Sequence, residues 1–286
     1  INEGSSLTPD LSIQVTVPNE WTRICRKNIG VTAGIETDRI SDSWIRGTHI
    51  VDKIIVPSSH AKSGFLNAKT FVKDPLGGEE RELGVTTDID VIGFPVRNVA
   101  PKNMQRFNDI VSTDFNFLTV AQISPRKNIE SSLVAFLEEF HNEPNVGYVL
   151  KLSIKNNSIY DRENTKAAVQ SLLANFPERK CKVHLMHGNL SDEEMFGIYN
   201  SEKINAYVTS SHGEGFGLPI FEAASQGLPV IAPNWGGYTD FTSFKPTKKS
   251  KNTQSYITTV DYKVNPVQDE AVWTGVIEKG TNWCFT

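Results

Sequence analysis

The feature that most narrows the fold is a rhythm running through the C-terminal two-thirds of the chain. Short apolar runs rich in β-branched residues alternate there with longer segments of helical period. Strands alternating with helices imply βαβ units and a parallel sheet, because parallel neighbours need a crossover and a helix is the usual one. The pattern predicts strands at 117–121, 148–153, 182–186, 206–209 and 229–231. It predicts helices at 128–141, 164–176, 191–200 and 218–226, with a short one starting at Gly237. Asn128 precedes the apolar positions Leu133, Phe136 and Phe140 and is placed to cap the first helix. Ser191 and Glu194 have capping-box spacing. Pro219 suits a first helical turn, and Gly227 with Pro229 suits a helix stop before the next strand.

The N-terminal portion carries a thinner version of the same pattern. Strands are expected at 12–17, 29–35 and 53–56, with helices at 42–47 and 59–68. From 74 to 106 the composition turns to Gly, Pro, Asp and Asn, broken by an expected strand at 90–94. At 286 residues the chain is long for one domain, so two are expected. The division read here is a partial N-terminal Rossmann-like domain at 1–95, a linker at 96–114 and a C-terminal Rossmann-like domain at 115–286.

Composition removes several function classes. Hydrophobic residues at 38% with 15 Phe, 7 Tyr and 5 Trp are enough for a sizeable core. A net charge of −4 gives no global reason to bind nucleic acid, so any basic site must be local. Cys25, Cys181 and Cys284 are widely spaced and odd in number, which fits reduced structural thiols rather than a disulfide framework or a zinc site. No apolar run approaches the ~18 residues of a membrane span. The first residue is Ile1, so an upstream targeting segment stays open.

The most informative stretch is 210–222, SSHGEGFGLPIFE, between an expected strand and an expected helix. Gly213, Gly215 and Gly217 let the backbone bend sharply and approach another group without Cβ interference. A loop of this kind opening a helix presents free N–H groups to an anion, most simply a phosphate. Glu214 and Glu222 flank it, and a carboxylate beside a phosphate would repel it. Their work is therefore to accept hydrogen bonds from vicinal hydroxyls, as offered by a sugar and a ribose.

The string from Glu214 to Glu222 resembles the E-x7-E signature of the retaining glycosyltransferases of family 4, which have the two-domain GT-B fold. Continuing through AASQGLPVI at 223–231, it keeps that family's usual Glu-Ala and Gly-x-Pro-Val run. The segment FLTVAQISPRKN at 117–128 resembles the family's first C-domain strand and phosphate loop, with Lys127 on the family's lysine. Gln122 stands where the family usually has arginine, and Arg126 is placed to compensate if it turns inward. The resemblance puts the junction His187-Gly188 beside the nucleotide base through backbone contacts, with His187 itself and His212 read as packing residues. Asn234 to Tyr238 forms a further Gly-containing turn on the same edge.

In the first domain, IGVTAGIETDRI at 29–40 and VDKIIVPS at 51–58 resemble the family's acceptor side. Where many members carry a histidine this chain has Glu36, Thr37 and Asp38, so Glu36 or Asp38 is the candidate to orient an acceptor hydroxyl. His49 and His60 are expected at the surface. The basic stretches 23–27 and 245–251 read as solvated faces open to an anionic acceptor or lipid head group. Nothing in 1–17 matches the family's N-terminal glycine loop, and the likeness stops near Trp283, so the chain reads as a fragment or a reduced member, incomplete at both ends.

The resemblance implies transfer of a hexose from a nucleoside-diphosphate sugar to an acceptor hydroxyl of a glycan or glycolipid, with retention of configuration. Glu214 and Lys127 would be catalytic; Arg126, Gly213, Gly215, Phe216, Gly217, Leu218, Glu222 and Gly188 would bind the donor. No metal cluster is visible and no cofactor is expected beyond the donor itself. The expected location is cytoplasmic, with peripheral membrane contact open. The alternative from another class is a nucleotide-sugar-binding fragment without significant catalysis.

Overall fold

Two parallel sheets organise the chain in a computed structural model that describes residues 9–73, 80–245, 247, 249–250 and 254–286. Residues 1–8 and 74–79 of the first expected domain, and 246, 248 and 251 of the second basic stretch, lie outside the described residues. The chain runs through β1 (Leu11–Val15), β2 (Lys27–Val31), α1 (Asp42–Thr48), β3 (Lys53–Val56) and α2 (Ser59–Leu66). It then forms an antiparallel hairpin, β4 (Lys69–Lys73) with β5 (Glu80–Gly84), before β6 (Ile89–Val91). The first sheet has the order β1-β2-β3-β6, all parallel. Trp21, Trp44, Ile45, Ile54 and Phe65 fill its core. Gly30 is glycine because the Trp21 indole lies across it, 2.4 Å from where a Cβ would stand.

After α3 (Gln105–Ile110) the second body follows as β7 (Phe115–Gln122), α4 (Ile129–Glu139), β8 (Val146–Ser153), α5 (Ile159–Leu173), β9 (Lys182–Met186), α6 (Asp192–Tyr199), β10 (Ala206–Val208), α7 (Leu218–Ser225) and β11 (Val230–Pro233). The short α8 (Thr239–Thr242) leads into a small hairpin of β12 (Ser243–Phe244) and β13 (Gln254–Ser255), then β14 (Thr258–Val260). A last hairpin pairs β15 (Lys263–Pro266) with β16 (Asn282–Phe285). The second sheet has the order β14-β11-β10-β7-β8-β9. Interior β8, flanked by β7 and β9, explains why the pattern was so readable. Tyr148, Leu150 and Leu152 point toward α4 and α5, while Val149 points to the layer holding Ile198 and Ile220, so both faces are buried and the strand is almost wholly apolar.

Several local expectations change. Asn128 does not cap α4 through its side chain; it takes a left-handed backbone (φ 49°), and its side-chain Nδ2 donates instead to the Ser210 carbonyl at 3.3 Å. Helix α5 begins five residues before the expected 164, because Ser158 caps it by accepting from the Asp161 amide. Its first turn shows no apolar period, since Ile159 and Tyr160 are exposed. The Ser191–Glu194 capping box forms in full. Phe107 and Val111, within the stretch expected as linker, sit in the second sheet's core with Leu118. The Lys102 carbonyl lies 2.3 Å from where a Cβ on Gly197 would be, so the chain joins the second body from about that point.

Candidate functional site

In open parallel sheets, ligands gather at the carboxyl ends of strands. Here the loops leaving β2, β3 and β6 in the first sheet face those leaving β7, β10 and β11 in the second, and the two sets touch. A Cβ on Gly213 would stand 1.8 Å from the Glu36 carbonyl oxygen, and one on Gly215 would stand 2.2 Å from that of Ala33. The close backbone approach that these two glycines permit is therefore made by the chain's own first body. Ser58, leaving β3, donates its hydroxyl to the Gly215 carbonyl at 2.6 Å. The Gly237 amide donates to the Glu214 carbonyl at 2.7 Å, and Gly217, left-handed at φ 87°, opens α7. The Gly236-Gly237 turn thus braces the glycine loop.

The charged groups meet at this junction. Glu214 is only 8% exposed, and its carboxylate is bound by the Lys127 ammonium and by Arg126 Nη1 at 3.1 Å. Arg126 does turn inward: Nη1 also donates to the Gly213 carbonyl at 2.7 Å, and Nη2 lies 3.8 Å from Glu36. Burial alone would raise the Glu214 pKa, but Lys127 and Arg126 outweigh it and hold the carboxyl below its ordinary value. Glu36 goes the other way: burial pushes it up against the pull of Arg126, with Glu214 adding to the rise. Burial also lowers the Lys127 ammonium, with Glu214 opposing. Two cations and two carboxylates thus sit in a partly buried junction, and an anion entering it meets cations that can exchange partners.

Glu222 lies apart from that cluster. It accepts from Tyr199 Oη at 3.1 Å and from Arg97 Nη2 at 2.6 Å, while Arg97 Nη1 reaches Asp192 at 2.5 Å. The Arg97 guanidinium also lies 5.6 Å over the Phe196 ring. A cavity of about 340 Å³ opens here, lined by Phe94, Phe196, Leu218, Phe221 and Glu222. Arg97 was not anticipated, because it falls in a stretch read as linker and its partner is 125 residues away.

The remaining expected residues divide by environment. Phe216 is 7% exposed and packs its ring edge-on to Phe94 and Phe221, which makes it an aromatic spacer between the bodies. Gly188 is left-handed at φ 109° with open space around it. His187 is bound to Asp161 at 2.8 Å, and Asp161 also accepts the amides of Ile154, Lys155 and Asn157, so this pair secures the loop after β8. Both carboxylate oxygens of Asp38 are occupied by Asn282, by its amide at 2.8 Å and its Nδ2 at 2.7 Å, leaving Asp38 as a clamp between β16 and the first body. His60 is not a surface residue: it packs edge-on to Trp235 at 4.7 Å, and burial lowers its pKa. His212 is buried with Nδ1 at 2.7 Å from the Cys284 carbonyl. Gln122 is exposed on the cleft that Glu36, Arg126 and Lys127 line, and its side chain donates to the Ile154 carbonyl at 2.9 Å. Cys25, Cys181 and Cys284 are free and buried.

Glu36, Arg126 and Lys127 also floor a larger cleft of about 610 Å³, walled by Trp44 and by Trp273 of the 263–285 segment. Among the described residues no group of three His, Cys, Asp or Glu is arranged to hold a metal ion. Among them, too, no helix is long and apolar enough to cross a membrane.

Residues 102–243 match the family described as Glycosyl transferases group 1. Among curated proteins the chain is 26% identical over 172 residues to the "Uncharacterized glycosyltransferase 335" of Sulfolobus islandicus rod-shaped virus 1, covering 58% of this chain and 47% of that protein. It is 25% identical over 183 residues to the "Serotype-specific mannosyltransferase WbdA" of Escherichia coli, covering 60% of this chain and 21% of that protein. The chain thus spans about half the length, or less, of these curated relatives. Among solved structures it superposes on a trehalose-phosphate synthase from Burkholderia xenovorans with TM-score 0.58 at 9% identity, over 82% of this chain and 62% of that one. A structure titled "Trehalose-6-phosphate from E. coli bound with UDP-2-fluoro glucose" gives 0.56 at 8% identity, over 82% and 60%. The α/β fold, with its parallel sheets, is of the GT-B type, and the likeness to glycosyltransferases extends from fold to sequence.

Proposed function

We propose that the chain transfers a hexose from a nucleoside-diphosphate sugar to an acceptor hydroxyl with retention of configuration, as the family 4 likeness of its E-x7-E string suggests. The observation that carries this is the cluster of Glu36, Arg126 and Lys127 around the buried Glu214 where the carboxyl ends of the two sheets meet. The relatives' names support a sugar-transfer reaction.

In this scheme Lys127 and Arg126 exchange Glu214 for the donor diphosphate and stabilise the negative charge that grows as the leaving group departs. Glu214, released from one or both cations, accepts hydrogen bonds from donor-sugar hydroxyls. Glu222 takes the ribose diol once Arg97 yields, and the cavity of Phe94, Phe196 and Leu218 lies beside it. The loop from Gly213 to Leu218 and the turn at Gly188 line the donor's path. Glu36, held high by burial, orients the acceptor hydroxyl, and the leaving phosphate takes its proton. Because two protein cations supply the neutralising charge, turnover is proposed to need no added metal or cofactor. Residues 1–95 would form the acceptor side, 115–286 the donor side and 96–114 the join, packed on the donor side from about residue 102, with the reaction on the cytoplasmic side and the basic stretches available to a membrane-borne acceptor.

The test incubates the chain with UDP-, GDP-, ADP- and CDP-linked hexoses, follows nucleoside diphosphate release with and without acceptor and chelator, and reads the product's anomeric proton by NMR. Release with one base, unaffected by chelator, and a product anomer matching the donor's support the proposal. Inversion would remove the retaining mechanism, and binding without release would leave a nucleotide-sugar-binding protein.

A further inference from the structure

Three of the five tryptophans are essentially inaccessible: Trp21 and Trp44 are 1% exposed and Trp283 is 0% exposed. Trp273 is 67% exposed, yet it is not on a loose loop. Its amide donates to the Ile277 carbonyl at 2.9 Å and the Ile277 amide returns to its own carbonyl at 2.8 Å, closing a tight turn. Gly275 takes φ 86° within that turn, a backbone that L side chains rarely adopt. The Gly275 amide donates to Glu278 Oε1 at 2.9 Å, and the same oxygen accepts the Ser41 hydroxyl at 2.6 Å. The turn is thus closed internally and pinned to the first sheet's body.

An indole held out in water at the wall of a charged cleft has no packing purpose of its own. A pyranose ring presents an apolar C–H face and a perimeter of hydroxyls. A flat indole can cover the face while charged side chains take the hydroxyls. Those side chains are present across the cleft as Glu36 and Arg126.

We propose that Trp273 is the stacking platform of the acceptor site and that the acceptor is a carbohydrate presenting a pyranose ring to this cleft. The proposal rests on the transferase assignment for the direction of reaction, but sugar binding at Trp273 can be measured without any donor. The β15–β16 hairpin then contributes to the acceptor side although it lies at the C-terminal end of the chain.

The experiment uses saturation-transfer NMR with methyl α-D-mannopyranoside, methyl α-D-glucopyranoside and methyl α-D-galactopyranoside, with glycerol as a control. Each is tested against the wild type, Trp273→Ala and Trp273→Phe. Saturation should reach the ring C–H protons of at least one pyranoside in the wild type and not glycerol. It should fall in Trp273→Ala and return in Trp273→Phe, while thermal melting stays unchanged because the side chain is exposed. In transfer assays the acceptor KM should rise about fivefold to tenfold in Trp273→Ala, as expected for loss of one aromatic contact. The kcat and the donor KM should hold. No saturation of any pyranoside in the wild type, or equal saturation in Trp273→Ala, overturns the proposal. Pyranoside binding that depends on Trp273 in a chain that consumes no nucleotide sugar would refute the transferase assignment and leave the platform standing. Transfer that ignores Trp273→Ala would do the reverse.

Discussion

Replacing Gly215 by alanine should force the two bodies apart. The new Cβ would stand 2.2 Å from the Ala33 carbonyl oxygen and 3.3 Å from the Ile35 amide nitrogen. Contacts under about 3 Å are not tolerated, and the obstructing atom is backbone, which cannot rotate aside as a side chain would. Relief requires a shift of roughly 1 Å at the junction, which also stretches the Ser58 hydrogen bond to the Gly215 carbonyl. Overpacking of this kind costs about 1–3 kcal/mol, and a lost buried hydrogen bond adds about 1. At ~2–4 °C per kcal/mol for chains of this size, melting should fall by roughly 5–15 °C. The control is Gly227→Ala: Gly227 has φ 76° with nothing within 4 Å of a Cβ. It should lose only the left-handed strain of about 1–2 kcal/mol. Differential scanning calorimetry, with the radius of gyration from small-angle scattering, reads both effects. Gly215→Ala should melt lower than Gly227→Ala and be more extended. If it melts at or above the control with an unchanged radius, the contact between the glycine loop and Ala33 does not exist in solution.

Arg97→Ala should tighten nucleoside diphosphate binding by about two- to fivefold, because a half-exposed ion pair worth under about 1 kcal/mol no longer competes for Glu222. Weaker binding by calorimetry would instead place Arg97 among the donor contacts. Stability should fall on acidification from pH 7 toward 5, since burial lowers the pKa of His60, His184 and His212. The unfolded chain then binds more protons than the folded one below about pH 6.5, so stability is complete above that value and declines beneath it. His60→Phe keeps the ring against Trp235 but cannot titrate, so its melting temperature should depend less steeply on pH; an unaltered slope would mean His60 is not buried in solution. Glu222→Gln should weaken ribonucleotides relative to their 2′,3′-dideoxy analogues, and equal loss for both would separate Glu222 from the ribose.

Much of the second sheet was legible because β8 is buried on both faces and the Ser191–Glu194 capping box is a local device. Gly227, left-handed as the helix stop required, belongs to the same class. What escaped depends on partners distant in sequence. Gly213 and Gly215 announce a close backbone approach, but the sequence does not say whether ligand or protein makes it. Asp38 reads as an acceptor-side candidate until Asn282 arrives from 244 residues away and takes both its carboxylate oxygens. His60 lacks any local sign that Trp235 covers it. The hairpin β15–β16 was invisible because all four residues of β15 are exposed and show no apolar alternation. Trp273 was hidden because the cleft it walls is made with Glu36 and Arg126, far away in sequence, and because its turn is pinned through Glu278 to the distant Ser41.

The central claim is that Lys127 belongs to a diphosphate site formed with Arg126 and Glu214. Isothermal titration calorimetry of the wild type and Lys127→Ala, with each nucleoside diphosphate and its parent nucleoside, tests it most directly. One nucleoside diphosphate should bind the wild type, and Lys127→Ala should weaken it by about 2–5 kcal/mol, the range for truncating one partner of a buried charge-assisted contact. The parent nucleoside should be little changed. An equal loss for both ligands, or binding of the diphosphate undiminished by Lys127→Ala, would contradict the assignment.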